Sequence, residues 1–160
     1  MTDALVQQSV AQGDDDSIRA ILEDVCRTTG MGFAAVARVT DQRWIACQLL
    51  DRIDFGLNPG DELEIKTTIC DDIRKSGEWV VIDHVDMDIE WRTHNAPMLY
   101  GFKSYASFPI LLADGSFYGT LCAIDPQPRQ LSGAAIITAM EAHAKAVASI
   151  LSDTISASDT

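Results

Sequence analysis

The sequence predicts an α+β fold, a central antiparallel sheet with N- and C-terminal helices packed on one face. Two observations carry this. Apolar residues recur at helical spacing near both ends, at Ile18, Ile21, Leu22 and Val25 and again at Ile137, Ala144, Val147 and Leu151. Between them lie strand-like runs, most of them joined by turns too short for the crossovers that parallel strands require. The length of 160 residues suits one domain. Such a chain buries roughly 68–70% of its unfolded surface, so neither metal nor disulfide is needed to hold it.

The elements follow in order. Residues 2–12 predict a short helix with Leu5, Val6 and Val10 on one side, broken by Gly13. A stronger amphipathic helix covers 17–29, with Ser17 as N-cap and Gly30 as stop. "FAAVARVT" and "RWIACQLL" flank Asp41-Gln42 and predict a hairpin, closed by the loop "DFGLNPGDE". A short strand, Leu63–Ile65, leads to a helix in "TTICDDIRKSG". Thr67 or Thr68 caps that helix, Asp71 pairs with Lys75 four residues on, and Gly77 ends it. "EWVVIDHV" reads as a buried strand.

The next segment, "DMDIEWRTHNAPMLYG", shows no clean period and is longer than most connections, as functional or mobile segments are. "FKSYASFPILL" and "SFYGTLCAI" then form a second hairpin through "ADGS". Strict alternation puts Tyr118, Thr120, Cys122 and Ile124 on one face and Phe117, Gly119, Leu121 and Ala123 on the other. Gly119 marks a close approach of another backbone or of a ligand. Prolines 126 and 128 stop the strand, since proline donates no ladder hydrogen bond. The last helix runs from Ser132 into the 150s, its stripe widened by Ile136, Met140 and Ile150. The organisation expected is an N-terminal extension carrying that short helix over 1–16, a domain over 17–151 and a polar tail over 152–160.

Composition narrows the partners. Hydrophobic residues make up 47% and charged ones 22%, ordinary for a globular protein. The net charge of −12 disfavours nucleic acid and anionic lipid surfaces. Part of it lies in "GDDDS" (13–17), which reads as a solvated helix start rather than a metal site. No run approaches 18 apolar residues, so no membrane insertion is expected, and the N-terminus lacks the basic and apolar regions of a signal peptide. Cys26, Cys47, Cys70 and Cys122 show neither a CxxC pair nor zinc-ligand spacing, and reduced thiols in the cytoplasm are expected. No P-loop, GxGxxG or kinase catalytic element occurs.

The stretches "ICDDIRKSGEWVVIDHV" (69–85) and "YGFKSYASFPILLADGSFYGTLCAIDPQPRQL" (100–131), with the terminal helices, resemble a GAF domain over roughly Ser17 to Leu151. The likeness is greatest to GAF domains ahead of bacterial sensor histidine kinases. The resemblance implies a five- or six-stranded antiparallel sheet, a loop-covered ligand pocket opposite the terminal helices, and a homodimer through those helices. It implies a cytoplasmic regulatory module that senses a small molecule and acts on a kinase or other effector domain, which then lies beyond Thr160 or on another chain. The pocket candidates carried over are Cys70, Trp91, His94, Tyr100, Tyr105, Ser107 and Cys122. Aromatics with a few polar groups suit a pocket, but they equally suit a filled core without ligand. Cys122 reads first as a small packing residue.

Three sharper readings stand beside this one. Free methionine-(R)-sulfoxide reductase shares the fold. Cys70 stands where one of its cysteines would, but neither "GDELEIKTT" nor the long loop supplies another. A bilin has no cysteine beside His94 to attach to, which leaves noncovalent binding only. Haem would need one histidine, His94 before His84, with His143 expected at an interface. No cofactor is named by the sequence.

Overall fold

Local signals place the helices. In the computed structural model, which describes residues 3–158, α1 spans Ala4–Gly13 and α2 spans Asp16–Thr29. The α2 cap is Asp15 rather than Ser17, its carboxylate accepting from the backbone N–H of Ser17 and Ile18 at 2.8 and 3.1 Å. A carboxylate satisfies these orphan donors and also meets the positive end of the helix dipole. The acidic run thus starts a helix. Gly30 ends it in the left-handed conformation, φ 75°.

Six strands follow: β1 (Phe33–Val39), β2 (Trp44–Asp51), β3 (Glu62–Leu63), β4 (Val80–Ile82), β5 (Ser104–Leu111) and β6 (Phe117–Asp125). They form one antiparallel sheet in the order β3-β2-β1-β6-β5-β4. The hairpins β1–β2 and β5–β6 are joined through β1 and β6, with Phe33 opposite Ile124 and Arg38 opposite Gly119. The remaining helices are α3 (Cys70–Ser76), α4 (Asn95–Tyr100) and α5 (Ala134–Ser158).

The sheet divides the core in two. Helices α1, α2 and α5 cover one face, where Leu22, Val36, Phe108, Leu121, Met140 and Leu151 are fully buried. The other face carries α3, α4 and the loops over Phe33, Trp44, Ile69, Ile73, Tyr105 and Ile124. α1, which lies before position 17, belongs to the helix layer. Ser9, Gln12 and Gly13 are buried, and a Cβ on Gly13 would lie 2.7 Å from the Cys47 Cβ. Only glycine lets the end of α1 sit this close to β2.

Several expectations are corrected. β3 stops at Leu63, and Ile65–Thr67 forms a 3-10 turn. Ile69 holds the cap position of α3 without a side-chain bond, because the hydroxyls of Thr67 and Thr68 turn back to the carbonyls of Glu64 and Ile65. The Asp71–Lys75 pair does form, at 3.3 Å. β4 is a three-residue edge strand with Val80 and Val81 only half-buried. The long connection is ordered into a 3-10 turn at Val85–Met87 and then α4. α5 continues past Leu151 to Ser158, so the polar segment extends a helix; Met1, Thr2, Asp159 and Thr160, at the ends of the expected extension and tail, lie outside the described residues. By length and composition alone α5 could cross a membrane. Its Met140, Ala144, Val147, Ala148 and Leu151 form one face that is buried against the core.

A bulge reverses part of β6. Ile110 faces Gly119 while Leu111 faces Phe117, so Tyr118 is the extra residue. It turns to the helix side with Leu121 and Ala123, and Phe117 packs on the other. There the Tyr118 hydroxyl donates to Gln12 Oε1 at 2.7 Å and lies 3.5 Å from Cys47 Sγ. Tyr118→Phe leaves that buried acceptor without its donor. The expected cost is about 1–3 kcal/mol, read as a lower urea midpoint with an unchanged slope.

The approach to α5 is fastened by two aspartates. Asp125, at the end of β6, accepts from the backbone N–H of Gly32 and Gln127 at 2.9 and 2.8 Å. Asp83 accepts from the Leu131 N–H at 2.9 Å and from the Ser132 hydroxyl at 2.7 Å.

Candidate functional site

Strand alternation delivers one set of side chains to the face away from α2 and α5. These are Phe33 from β1, Trp44 from β2, Tyr105 from β5, and Cys122 and Ile124 from β6. The loop after β2 adds Phe55 and Leu57. The turn before α3 adds Thr68 and Ile69, the first residue of α3 adds Cys70, and Tyr100 and Phe102 close the far side. Together they enclose a cavity of about 40 Å³, room for two or three water-sized groups. No charged side chain lines it among the described residues.

The walls are aromatic. Ring centroids lie 5.1 Å apart for Phe33–Phe55, 6.0 Å for Phe55–Tyr100 and 5.2 Å for Phe102–Tyr105. Phe55 and Tyr100 also border an open groove of about 450 Å³ that runs past Ile53, Asp54, Gly101 and Pro126. With Leu57, Leu63, Phe102 and Ile124, which border both as well, these rings lie between the cavity and the groove. The Phe55 loop is gathered by Asp51, whose carboxylate accepts from the backbone N–H of Ile53, Phe55 and Gly56 at 3.2, 3.0 and 2.9 Å. Burial alone would push the Asp51 carboxyl up, but these backbone donors outweigh it and hold it below the usual range.

The floor is where polar chemistry gathers. Cys70 Sγ lies 3.2 Å from Thr120 Oγ1, 3.5 Å from the Tyr105 hydroxyl and 3.9 Å from Ser107 Oγ. Cys122 faces the same sulfur, and so does the Trp44 indole. Cys70 is pulled down foremost by the Cys122 thiol beside it, against desolvation, with help from Thr120, Tyr105 and Trp44. Cys122 is pushed well up, first by Cys70 beside it and then by burial. Deprotonation of the pair therefore falls on Cys70. Burial raises the other two thiols, Cys47 to about 11 and Cys26 in the same direction.

The structure brings Cys70, Tyr100, Tyr105 and Cys122 together around the cavity, with Ser107 bonded to Cys70 beneath it. Trp91 and His94 are not part of it. They pair with each other at 5.3 Å, and Trp91 borders a separate surface groove with Asp72, Trp79 and Glu90. His94 caps α4, its Nδ1 accepting from the Ala96 N–H at 3.0 Å, while its Nε2 lies 3.2 Å from Asp72 Oδ2. The folding of the segment into α4 puts Tyr100, rather than the residues before the helix, over the cavity. His143 bonds Asp24 at 2.7 Å in the helix layer.

Phe33, Trp44, Phe55, Phe102 and Thr120 line or floor the site without having been singled out in the sequence. For Phe33 and Trp44 the signal was present, as alternation in "FAAVARVT" and "RWIACQLL". Haem and tetrapyrrole do not fit these residues. No histidine lines the cavity among those described, and its 40 Å³ is far below the roughly 300 Å³ or more of sites for larger ligands.

The arrangement has many relatives in shape. The GAF domain of Acinetobacter phosphoenolpyruvate-protein phosphotransferase superposes with a TM-score of 0.68 at 12% identity, covering 97% of this chain and 95% of that one. Type II free methionine-R-sulfoxide reductase from Thermoplasma acidophilum gives 0.65 at 8% identity, covering 93% and 96%. The GAF-B domain of DevS from Mycobacterium smegmatis gives 0.65 at 12%, covering 88% and 94%. At these identities the likeness shows the fold. No curated protein sequence is significantly similar to the chain. The sequence profile of the GAF domain matches residues 15–155, and with the six-stranded sheet and its two-sided core this places the chain in the GAF domain family.

Proposed function

We propose that this chain is a regulatory sensing module that binds a compact, uncharged ligand in the Phe55–Tyr100 cavity and reports its presence through the helix layer. The observation that supports this is the cavity's make-up: aromatic walls, no charged lining among the described residues, and hydrogen-bonding groups only on its floor and at the turn before α3. The same make-up argues against a reductase acting on a free amino acid, whose ammonium and carboxylate would need charged or polar partners. The route to the output is short. β6 presents Cys122 to the cavity and its neighbours Leu121 and Ala123 to the helix side. A ligand that repositions β6 therefore alters the seat of α2 and α5, provided it binds the two states with different affinity. The half-buried Ile21, Ile137, Ile150 and Ile155 on these helices suit a homodimer, with a kinase or other effector domain as recipient, in the cytoplasm.

Thermal unfolding with acetone and with acetate tests the reading. Acetone at a hundred times its dissociation constant stabilises by about 2.7 kcal/mol, whereas acetate, of similar shape but charged, does not. Phe55→Ala weakens acetone binding about tenfold. Equal stabilisation by acetate, or no response to any uncharged probe, overturns the proposal.

A further inference from the structure

We propose that Cys70 and Cys122 form a peroxide-reactive dithiol: Cys70 reduces a small uncharged hydroperoxide admitted to the cavity, and Cys122 then closes a Cys70–Cys122 disulfide. The inference rests on the sensing role proposed above, in that the cavity must admit small uncharged molecules. It deepens that role by naming one class of them.

Geometry carries the argument. Two thiols from separate elements, the start of α3 and the middle of β6, both line the cavity floor, and Cys70 Sγ lies 3.9 Å from the hydroxyl of Ser107, the residue directly opposite Cys122 in the β5–β6 pair. Cys26 and Cys47 are also buried, but in the opposite core, away from the cavity. Donors surround Cys70 without placing a charge beside it: Thr120 at 3.2 Å and Tyr105 at 3.5 Å. The space of about 40 Å³ suits a molecule of a few heavy atoms. Its apolar walls admit a neutral hydroperoxide in preference to an anionic oxidant.

The chemistry balances. The Cys70 thiolate attacks the distal peroxide oxygen; an S–O bond forms, the O–O bond breaks, and the leaving alkoxide or hydroxide takes up the proton that Cys70 had released. Cys70 is then a sulfenic acid. Cys122 sulfur attacks Cys70 sulfur; the S–S bond forms, the S–O bond breaks, and hydroxide leaves as water with the Cys122 proton. Two thiols and one hydroperoxide give one disulfide, one alcohol (or water) and one water. Two electrons pass from sulfur to the peroxide bond.

The acid–base setting agrees. The titratable groups acting on Cys70 are Cys122 from β6 and Tyr105 from β5, and no charged side chain lines the cavity among the described residues. Tyr105 is held protonated by burial and by its nearness to the two sulfurs. The hydroxyls of Thr120, Tyr105 and Ser107 around Cys70 favour the anion there rather than on Cys122.

Peptide mapping of the full chain after one equivalent of hydrogen peroxide, with alkylation under denaturing conditions, tests the inference. The expected product is one Cys70–Cys122 disulfide, with Cys26 and Cys47 still alkylated. In Cys122→Ser the reaction stops at a Cys70 sulfenic acid that dimedone traps, and in Cys70→Ser peroxide consumption slows at least tenfold. The wild-type rate reaches half its maximum at a lower pH than that of an ordinary thiol. Oxidation spread over all four cysteines, oxidation of Cys26 or Cys47 first, or no disulfide overturns it, whether or not the variants fold. If acetone still stabilises the protein while no disulfide forms, the dithiol fails and the sensing role stands. If neither occurs, both fail.

Discussion

Gly119→Ala is expected to lower stability by about 3 kcal/mol or more, at the upper end of overpacking substitutions. A Cβ at this position would lie 1.8 Å from the Ala37 carbonyl oxygen, 2.8 Å from its carbon and 3.0 Å from the Val39 nitrogen. All three are backbone atoms of β1, so no side chain can swing aside. The β1–β6 pair also joins the two hairpins, so a displacement there is felt on both faces of the sheet. For a chain of this size 1 kcal/mol moves Tm by about 2–4 °C, which puts the expected drop at roughly 6–12 °C. Gly115→Ala is the comparison: its Cβ would meet nothing within 4 Å, and only its φ of 85° opposes the change, at about 1 kcal/mol. A Gly119→Ala protein melting within about 2 °C of the parent would show that β1 yields easily and that the close approach is not a constraint. The sequence left open whether Gly119 admits a ligand or a backbone; the partner is backbone.

What was legible in the sequence was local. The hairpins at Asp41-Gln42 and "ADGS" and the stripes of α2 and α5 each depend on residues a few positions apart, and each formed as expected. What was not legible depends on register between distant strands. Tyr118 alternates correctly with Thr120 and Cys122 as a string of letters. One extra residue opposite β5 sends it to the other face, and no residue near it announces the bulge. A second irregularity, where Val36 faces Gln48 and Ala37 faces Ala46, turns Cys47 toward the helix layer in the same way.

The site follows the same rule. Of the residues carried over from the resemblance, Tyr105 and Cys122 lie at the cavity because strand faces alternate. Trp91 and His94 lie away from it because the position of an irregular segment depends on where α4 forms, and that is set by tertiary contacts such as Tyr100 with Phe55 and Thr67. The meeting of Cys70 with Cys122 needs the whole sheet. α3 must cross beneath β5 and β6 before the two cysteines line one cavity. Spacing that fits no zinc pattern therefore said little about whether two cysteines become neighbours.

Asp125→Ala is expected to cost about 3 kcal/mol, from hydrogen bonds to a charged group worth roughly 1.5–3 kcal/mol each. The carboxylate is 3% exposed and bridges three places: the N–H of Gly32 ahead of β1, the N–H of Gln127 in the turn, and the Arg129 guanidinium at 3.5 Å. The guanidinium contact is long and partly exposed, so it contributes little. The two backbone donors dominate, because in alanine each is left without its acceptor. Asp125→Asn keeps one carbonyl oxygen and is expected to retain about half the stability difference. Hydrogen exchange separates this local account from a general loosening. Protection should fall first at Gly32 and Gln127, and less at Leu131, whose N–H is held independently by Asp83 at 2.9 Å. Equal loss at all three amides would mean that Asp125 and Asp83 act as one latch. The acid that ends β6 would then set the position of α5 directly, rather than only closing the strand that leads to it.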